Sequence, residues 1–200
     1  MKQKSVYKTK IIAGTFRGIM LDIPKIDTTR ASKAILKESI FNTLQFKIID
    51  KPFFEVFGGS GSVGLEALSR GASEIFFIEK NPQTYKILQS NIDKLDPSRC
   101  RAYLGDSFKL FGRVYSELKL LNKKCYIYLD PPFSVREGMD DIYEKTMMLI
   151  ASIEQEVCDM VMLEHMSSLV IPKSIGGFEL ARSKKFGRTT ISYYAPKEIA

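Results

Sequence analysis

From residue 53 onward the sequence alternates between short apolar runs of strand character and stretches whose apolar residues recur at helical spacing. "FFEVF" (53–57) opens the series, followed by a glycine turn, "GGSGSVG", and the helical "LEALSRG", stopped by Gly71. "EIFFIE" (74–79) precedes "PQTYKILQSNIDKL", with Pro82 in its first turn. "CRAYLGD" (100–106) leads into a helix over 107–121, and "KCYIYLD" (124–130) into a helical stretch near 140–156. "VCDMVMLEH" (157–165) is the fifth strand. Parallel neighbours need crossover connections, so this alternation predicts an α/β fold built on a parallel, doubly wound sheet. Ligands of such sheets bind outside the carboxyl ends of the strands. The polar residues at those ends are therefore the candidates.

Two hairpins flank the series. "TKIIAGTFRGIMLDIP" (9–24) reads as two short strands around Gly14 and Gly18, and "FELARSKKFGRTTISYYA" (178–195) as a closing antiparallel hairpin around Gly187. Between the first hairpin and residue 53, Ile35, Leu36, Ile40, Phe41 and Leu44 form a helical stripe within 32–46, with Ser32 as N-cap. The expected division is a basic N-terminal extension over 1–30 and an α/β domain over 31–200.

Charge is placed unevenly. Residues 1–51 hold 11 Lys and Arg against 4 Asp and Glu, whereas residues 52–200 hold 19 of each. The excess is either a solvated tail or a surface that meets a polyanion, most simply nucleic-acid phosphates. No apolar run approaches the roughly 18 residues that span a membrane, and the lysine-rich start lacks the apolar region of a secretory signal. Cys100, Cys125 and Cys158 form no CxxC pair. Free thiols in a reducing cytoplasm are the expectation.

The first strand runs into Gly59-x-Gly61-x-x-Gly64, a dinucleotide-type fingerprint, with Glu79 ending the next strand. Glycines permit a tight turn and close ligand approach, and the acid can accept from both ribose hydroxyls. The pattern fits a nucleoside-containing cofactor and leaves pyrophosphate cofactors and S-adenosylmethionine both open. A P-loop is excluded, because no GxxxxGK[ST] occurs. Gly105-Asp106 ends the third strand; Asp106 can accept from an adenine amine, with Ser107 or Phe108 beside the ring, or can simply cap a helix.

The fourth strand ends in "YLDPPF" (128–133). An Asp carboxylate and the following proline's carbonyl can both point at one amine. An amine conjugated to a nucleobase is a poor nucleophile, and two acceptors on its hydrogens favour the geometry and charge of an attacking nitrogen. Pro131 and Pro132 fix the backbone and leave no competing N–H. Phe133 offers a face for the base to stack on. Asp130, Pro131, Pro132 and Phe133 thus point to methyl transfer onto an exocyclic amine. His165 could touch RNA, shape a pocket, or simply be bonded at a strand end. No GxSxG elbow supports a hydrolase.

This order of motifs resembles the class I S-adenosylmethionine-dependent amino-methyltransferases, and within them the bacterial 16S rRNA guanine-N2 methyltransferases of the RsmD type. "IIAGTFRG" (11–18), "LDIP" (21–24), "KESIFNTL" (37–44), "VFGGSGSVGLEALSRGA" (56–72), "FIEKN" (77–81), "YLDPPF" and the closing "YY" strand carry the resemblance over nearly the whole chain. It implies a Rossmann-like fold and S-adenosylmethionine held by Glu55, Gly58, Gly59, Gly61, Glu79, Asp106 and Ser107. It implies that Asp130 and Pro131 grip a guanine amine while Phe133 stacks on the base. Lys10, Arg17 and Arg30 would meet phosphates of 16S rRNA or of an assembling 30S subunit. A cytoplasmic monomer without metal is expected, since the sulfonium is already an activated methyl donor. The chain departs from the family at Glu55, where Asp is usual, and at Gly58, where Ala is usual. "RASKAILKE" (30–38) also differs, with Ala34 and Ile35 replacing an acid–base pair. Rival readings are an NAD-dependent oxidoreductase, an adenine or cytosine amino-methyltransferase of DNA or RNA, and a catalytically silent RNA-binding assembly factor.

Overall fold

The computed structural model describes residues 7–24, 30–132 and 141–198, with the backbone alone at 30–33. Strands β1 (Tyr7–Lys10) and β2 (Met20–Ile23) pair antiparallel as a separate ribbon. The main sheet contains β3 (Phe53–Glu55), β4 (Ile75–Glu79), β5 (Cys100–Leu104), β6 (Cys125–Leu129), β7 (Cys158–Met166), β8 (Ser174–Ile175), β9 (Phe178–Phe186) and β10 (Thr189–Pro196). Its order is β5-β4-β3-β6-β7-β10-β9-β8, with β3 to β7 mutually parallel and the last three antiparallel. The expected doubly wound α/β sheet with a closing hairpin is therefore the observed one. The chain order reverses between β3 and β6, which places the ligand-binding crevice at their carboxyl ends.

The parallel strands are apolar throughout because helices cover both faces. In β4, Ile75 and Phe77 point to one core with Phe53, Tyr126, Tyr128 and Tyr193, whereas Phe76 and Ile78 point to the other with Phe54, Ile127 and Leu129. The first core is closed by α1 (Arg30–Leu44), α2 (Gly64–Ser69) and α3 (Pro82–Asp93), the second by α4 (Ser107–Lys119) and α5 (Ile142–Ala151). Asn81 caps α3, its side chain accepting from the N–H groups of Gln83 and Thr84, and Pro82 follows where its missing N–H is harmless.

Three details differ from the sequence reading. Strand β3 stops at Glu55 because the chain then crosses toward β4, where Gly58 donates to the Ile78 carbonyl at 2.7 Å. Helix α1 begins at Arg30, so Ser32 lies inside it and not at its N-cap. Of its expected stripe Leu36, Ile40, Phe41 and Leu44 are buried, but Ile35 is 56% exposed. The three cysteines are free; Cys125 and Cys158 are buried, and Cys100 is half-buried. Among the described residues no helix is long and apolar enough to cross a membrane.

The ribbon is fastened to the core by buried polar groups. Fully buried Glu66 on α2 accepts from the N–H groups of Ile12 (2.8 Å) and Ala13 (3.1 Å) and pairs with Arg70 (2.8 Å) and buried Lys37 (3.3 Å). The Ser69 hydroxyl donates to the Ala13 carbonyl and accepts from the Phe16 N–H. Asn91 on α3 binds both backbone groups of Asp22 and donates to the Ser60 carbonyl. Gly14 sits at φ +87°, and a Cβ there would stand 1.8 Å from the Ser69 carbonyl oxygen, so only glycine allows this approach.

Candidate active site

A cavity of about 540 Å³ opens at the carboxyl ends of β3, β6 and β7, a size that suits a small-molecule cofactor. Its walls include Glu55, Phe57 to Ser60, Ser62 and Val63 of the glycine loop, Tyr128, Asp130 and Glu164, with Tyr7 to Thr9 of the ribbon and Ala34, Leu36 and Lys37 of α1 closing the side.

Each glycine of the fingerprint has its own reason. Gly59 has φ +51°, and a Cβ there would meet nothing within 4 Å, so its backbone faces open space. Gly61 has φ +76°, and a Cβ would come within 2.5 Å of Leu88 Cδ1. At Gly64 a Cβ would lie 2.5 Å from the Phe77 ring, so the glycine sets the close packing of α2 on β4. Gly58 differs: a Cβ would stand 3.1 Å from the Ile78 carbonyl oxygen, tight but not prohibitive.

The acids are organised around this loop. Glu55, 4% exposed, accepts from the Gly64 N–H at 2.7 Å. Glu79 accepts from the N–H groups of Gly59 (2.8 Å) and Asn81 (2.6 Å); burial pushes its pKa up, opposed by these donors. Asp106 caps α4 through the Phe108 N–H at 3.0 Å and pairs with Lys80 at 2.8 Å, whose side-chain hydrogen bond holds it below the usual carboxylate range. The buried Ser107 hydroxyl donates to the Val56 carbonyl at 2.7 Å.

The structure brings Glu55, Gly58, Gly59 and Asp130 onto one cavity wall, with Glu79 tied to it through the Gly59 N–H. Gly61, Asp106, Ser107, Pro131 and Pro132 are not part of the lining; Pro131 is buried and Pro132 exposed. Phe133 lies outside the described residues, as does the side chain of Arg30. Lys10 and Arg17 are exposed; Lys10 adjoins the lining residues Tyr7 to Thr9, whereas Arg17 lies on the loop held by Ser69 at the far end of α2 from the glycine loop.

Three cavity residues escape the sequence reading. Tyr128 and Glu164, both buried, stand on neighbouring strands, and the Tyr128 hydroxyl donates to the Glu164 carboxylate. Burial first, and then the Glu164 charge, push the Tyr128 hydroxyl well above its usual pKa, so it stays a donor. Lys37 also donates to the Lys10 carbonyl at 3.1 Å, and burial pulls its amine down against the pull of Glu66. The acid inside the apolar run "VMLEH" was the available signal for Glu164. Glu55, Asp130 and Glu164 line the cavity together with Lys8 and with Lys37, which is paired with Glu66.

A family model described as conserved hypothetical protein 95 matches residues 9–195. The chain belongs to this family. Ribosomal RNA small subunit methyltransferase D of Escherichia coli (strain K12) is 29% identical over 130 residues, 65% of this chain and 62% of that relative. YlbH of Bacillus subtilis (strain 168), whose name carries rRNA methyltransferase provisionally, is 25% identical over 190 residues, covering 92% of this chain and 97% of that one. The solved structure of Escherichia coli yhhF aligns with a TM-score of 0.74 at 26% identity, over 96% of this chain and 99% of that one. The RsmD-type resemblance drawn from the motifs is thus the family's own.

His165 of this family member, 3% exposed, is bonded on both sides. Nδ1 lies 2.9 Å from the Met166 carbonyl oxygen and Nε2 lies 2.9 Å from the Ser192 hydroxyl. A carbonyl only accepts, so Nδ1 carries the proton and Nε2 accepts from Ser192. Burial lowers the pKa. Below about pH 6.5 the unfolded chain therefore takes up a proton that the folded ring refuses. The stability held by the neutral ring is complete above that pH and is lost as pH falls through the lower folded value. Thermal melts of wild type and His165→Gln between pH 7.5 and 5 should show a steeper acid-side decline for wild type; equal slopes would contradict this.

Proposed function

We propose that the protein is an S-adenosylmethionine-dependent methyltransferase that modifies the N2 amine of a guanine in 16S rRNA. The carrying observation is that Asp130 shares one cavity with the glycine loop and Glu55. The carboxylates in its wall can accept from the ammonium and hydroxyl groups of such a cofactor. The relatives' names support methyl transfer to rRNA.

In this reading Glu55 accepts from the ammonium of the cofactor's methionine part, and the exposed face of Gly59 lets the ligand approach the backbone. Glu79 binds the ribose hydroxyls and Asp106 the adenine amine, with Ser107 and Gly58 shaping the turns around them. The cofactor supplies an activated methyl group. Asp130 and the Pro131 carbonyl accept from the guanine amine, polarising it toward attack, and Phe133 stacks on the base. The ribbon around Lys10 and Arg17, with Arg30, meets rRNA phosphates.

Equilibrium binding of S-adenosylmethionine against NAD tests the cofactor. Tight binding of the first, with Glu79→Ala weakening it about tenfold through loss of charge-assisted ribose bonds, is expected. Preference for NAD would overturn the reading. Methyl transfer to 30S particles, with duplex DNA as control, tests the substrate; transfer to DNA alone would overturn that part.

A further inference from the structure

We infer that the β9–β10 hairpin is a second rRNA-docking surface, on the far side of the cavity from the ribbon; the inference rests on the proposed rRNA substrate. Residues 180–197 carry Arg182, Lys184, Lys185, Arg188 and Lys197 and no acid. Arg182, Lys184, Lys185 and Arg188 are exposed. Among the described residues no carboxylate pairs with any of these four.

Their position in the sheet relates them to the active site. Thr189 pairs with Met166 at the carboxyl end of β7, so the hairpin turn at Gly187 lies at the catalytic end. Lys184 pairs with Ile191, which pairs with Glu164 of the cavity wall. Paired residues project to the same sheet face, so Arg182, Lys184 and Phe186 stand on the face that carries Glu164 and Tyr128. Lys184 lies over the Phe186 ring at 5.5 Å, which holds its cation forward. From β6 to β9 is three strand spacings, about 14 Å. An RNA strand whose base enters the cavity can reach the hairpin cations on one side and the ribbon cations on the other.

The competing explanation is protection of an open edge. Strand β8 pairs with β9 only at Phe178 and Glu179, so residues 181–186 have no outer partner strand among the described residues, and edge lysines discourage aggregation. Glutamate guards an edge as well as lysine but repels phosphate, which separates the two roles.

The test compares Lys184→Glu/Arg188→Glu, Lys184→Gln/Arg188→Gln and wild type in equilibrium binding to 16S rRNA over a salt series. S-adenosylmethionine affinity reports an intact fold. The glutamate pair should bind rRNA at least tenfold more weakly at 0.1 M salt, the glutamine pair less so. The slope of log K against log salt should become shallower by about 1.4–1.8, because each lost phosphate contact removes about 0.7–0.9. Unchanged affinity and slope in both pairs would overturn the inference and leave the cations as edge guards. Absence of rRNA binding by wild type would overturn it too. If wild type binds through the hairpin yet transfers no methyl group, the proposed reaction fails while the surface stands.

Discussion

Asp130→Ala is expected to lower kcat for methyl transfer by about 10³-fold, with S-adenosylmethionine affinity within a few-fold of wild type. A preorganised group that polarises the reacting centre is worth about 10²–10³ in rate, and 10³ corresponds to about 4 kcal/mol of barrier. Asp130 is the acid that ends β6 and faces the cavity shared with Glu55 and the glycine loop. The cofactor's proposed contacts come from β3, β4, β5 and the loops that follow them, so binding should persist when the β6 acid is removed. Single-turnover transfer kinetics with parallel calorimetric binding measures both quantities. Near wild-type turnover would show that the amine is activated by something other than this carboxylate.

The largest effect on stability is expected at Glu66. Its carboxylate is fully buried and is shared among two backbone N–H groups of the ribbon, Lys37 and Arg70. Breaking a buried pair costs about 3–5 kcal/mol because the partner charge stays behind in a dry place. Glu66→Ala leaves Lys37 in that state and unfastens residues 12 and 13. In a chain of this size each kcal/mol lowers Tm by about 2–4 °C, so a drop of roughly 6–20 °C is expected in a thermal melt. Lys37 and the ribbon also wall the cavity, so cofactor affinity should fall as well. A Tm within 2 °C of wild type would contradict this account.

The same two residues mark what the sequence reveals and what it hides. The strand "EIFFIE" was legible because both faces of a covered parallel strand are apolar, and "YLDPPF" because two prolines after an acid have little other use at a strand end. Glu66 was not. In "LEALSRG" it has the look of an ordinary solvent-facing glutamate, and the backbone N–H groups it binds lie more than fifty positions upstream. Glu164 stayed hidden behind His165, the more conspicuous neighbour; which of the two faces the cavity is decided by strand pairing, a tertiary property. The β9–β10 cations were masked by averaging, since charges over residues 52–200 cancel while residues 180–197 alone do not. Ala34, Leu36 and Lys37 of α1 form cavity wall, a placement set by how the helix packs and not by any motif within residues 30–38.

The most direct test of the central claim is transfer of labelled methyl groups from S-adenosylmethionine to unmethylated 16S rRNA and 30S particles, followed by digestion to nucleosides and their chromatographic identification. The account predicts label in N2-methylguanosine, dependent on Asp130. Label in a methylated adenosine or cytidine, or none in the presence of bound cofactor, would contradict it.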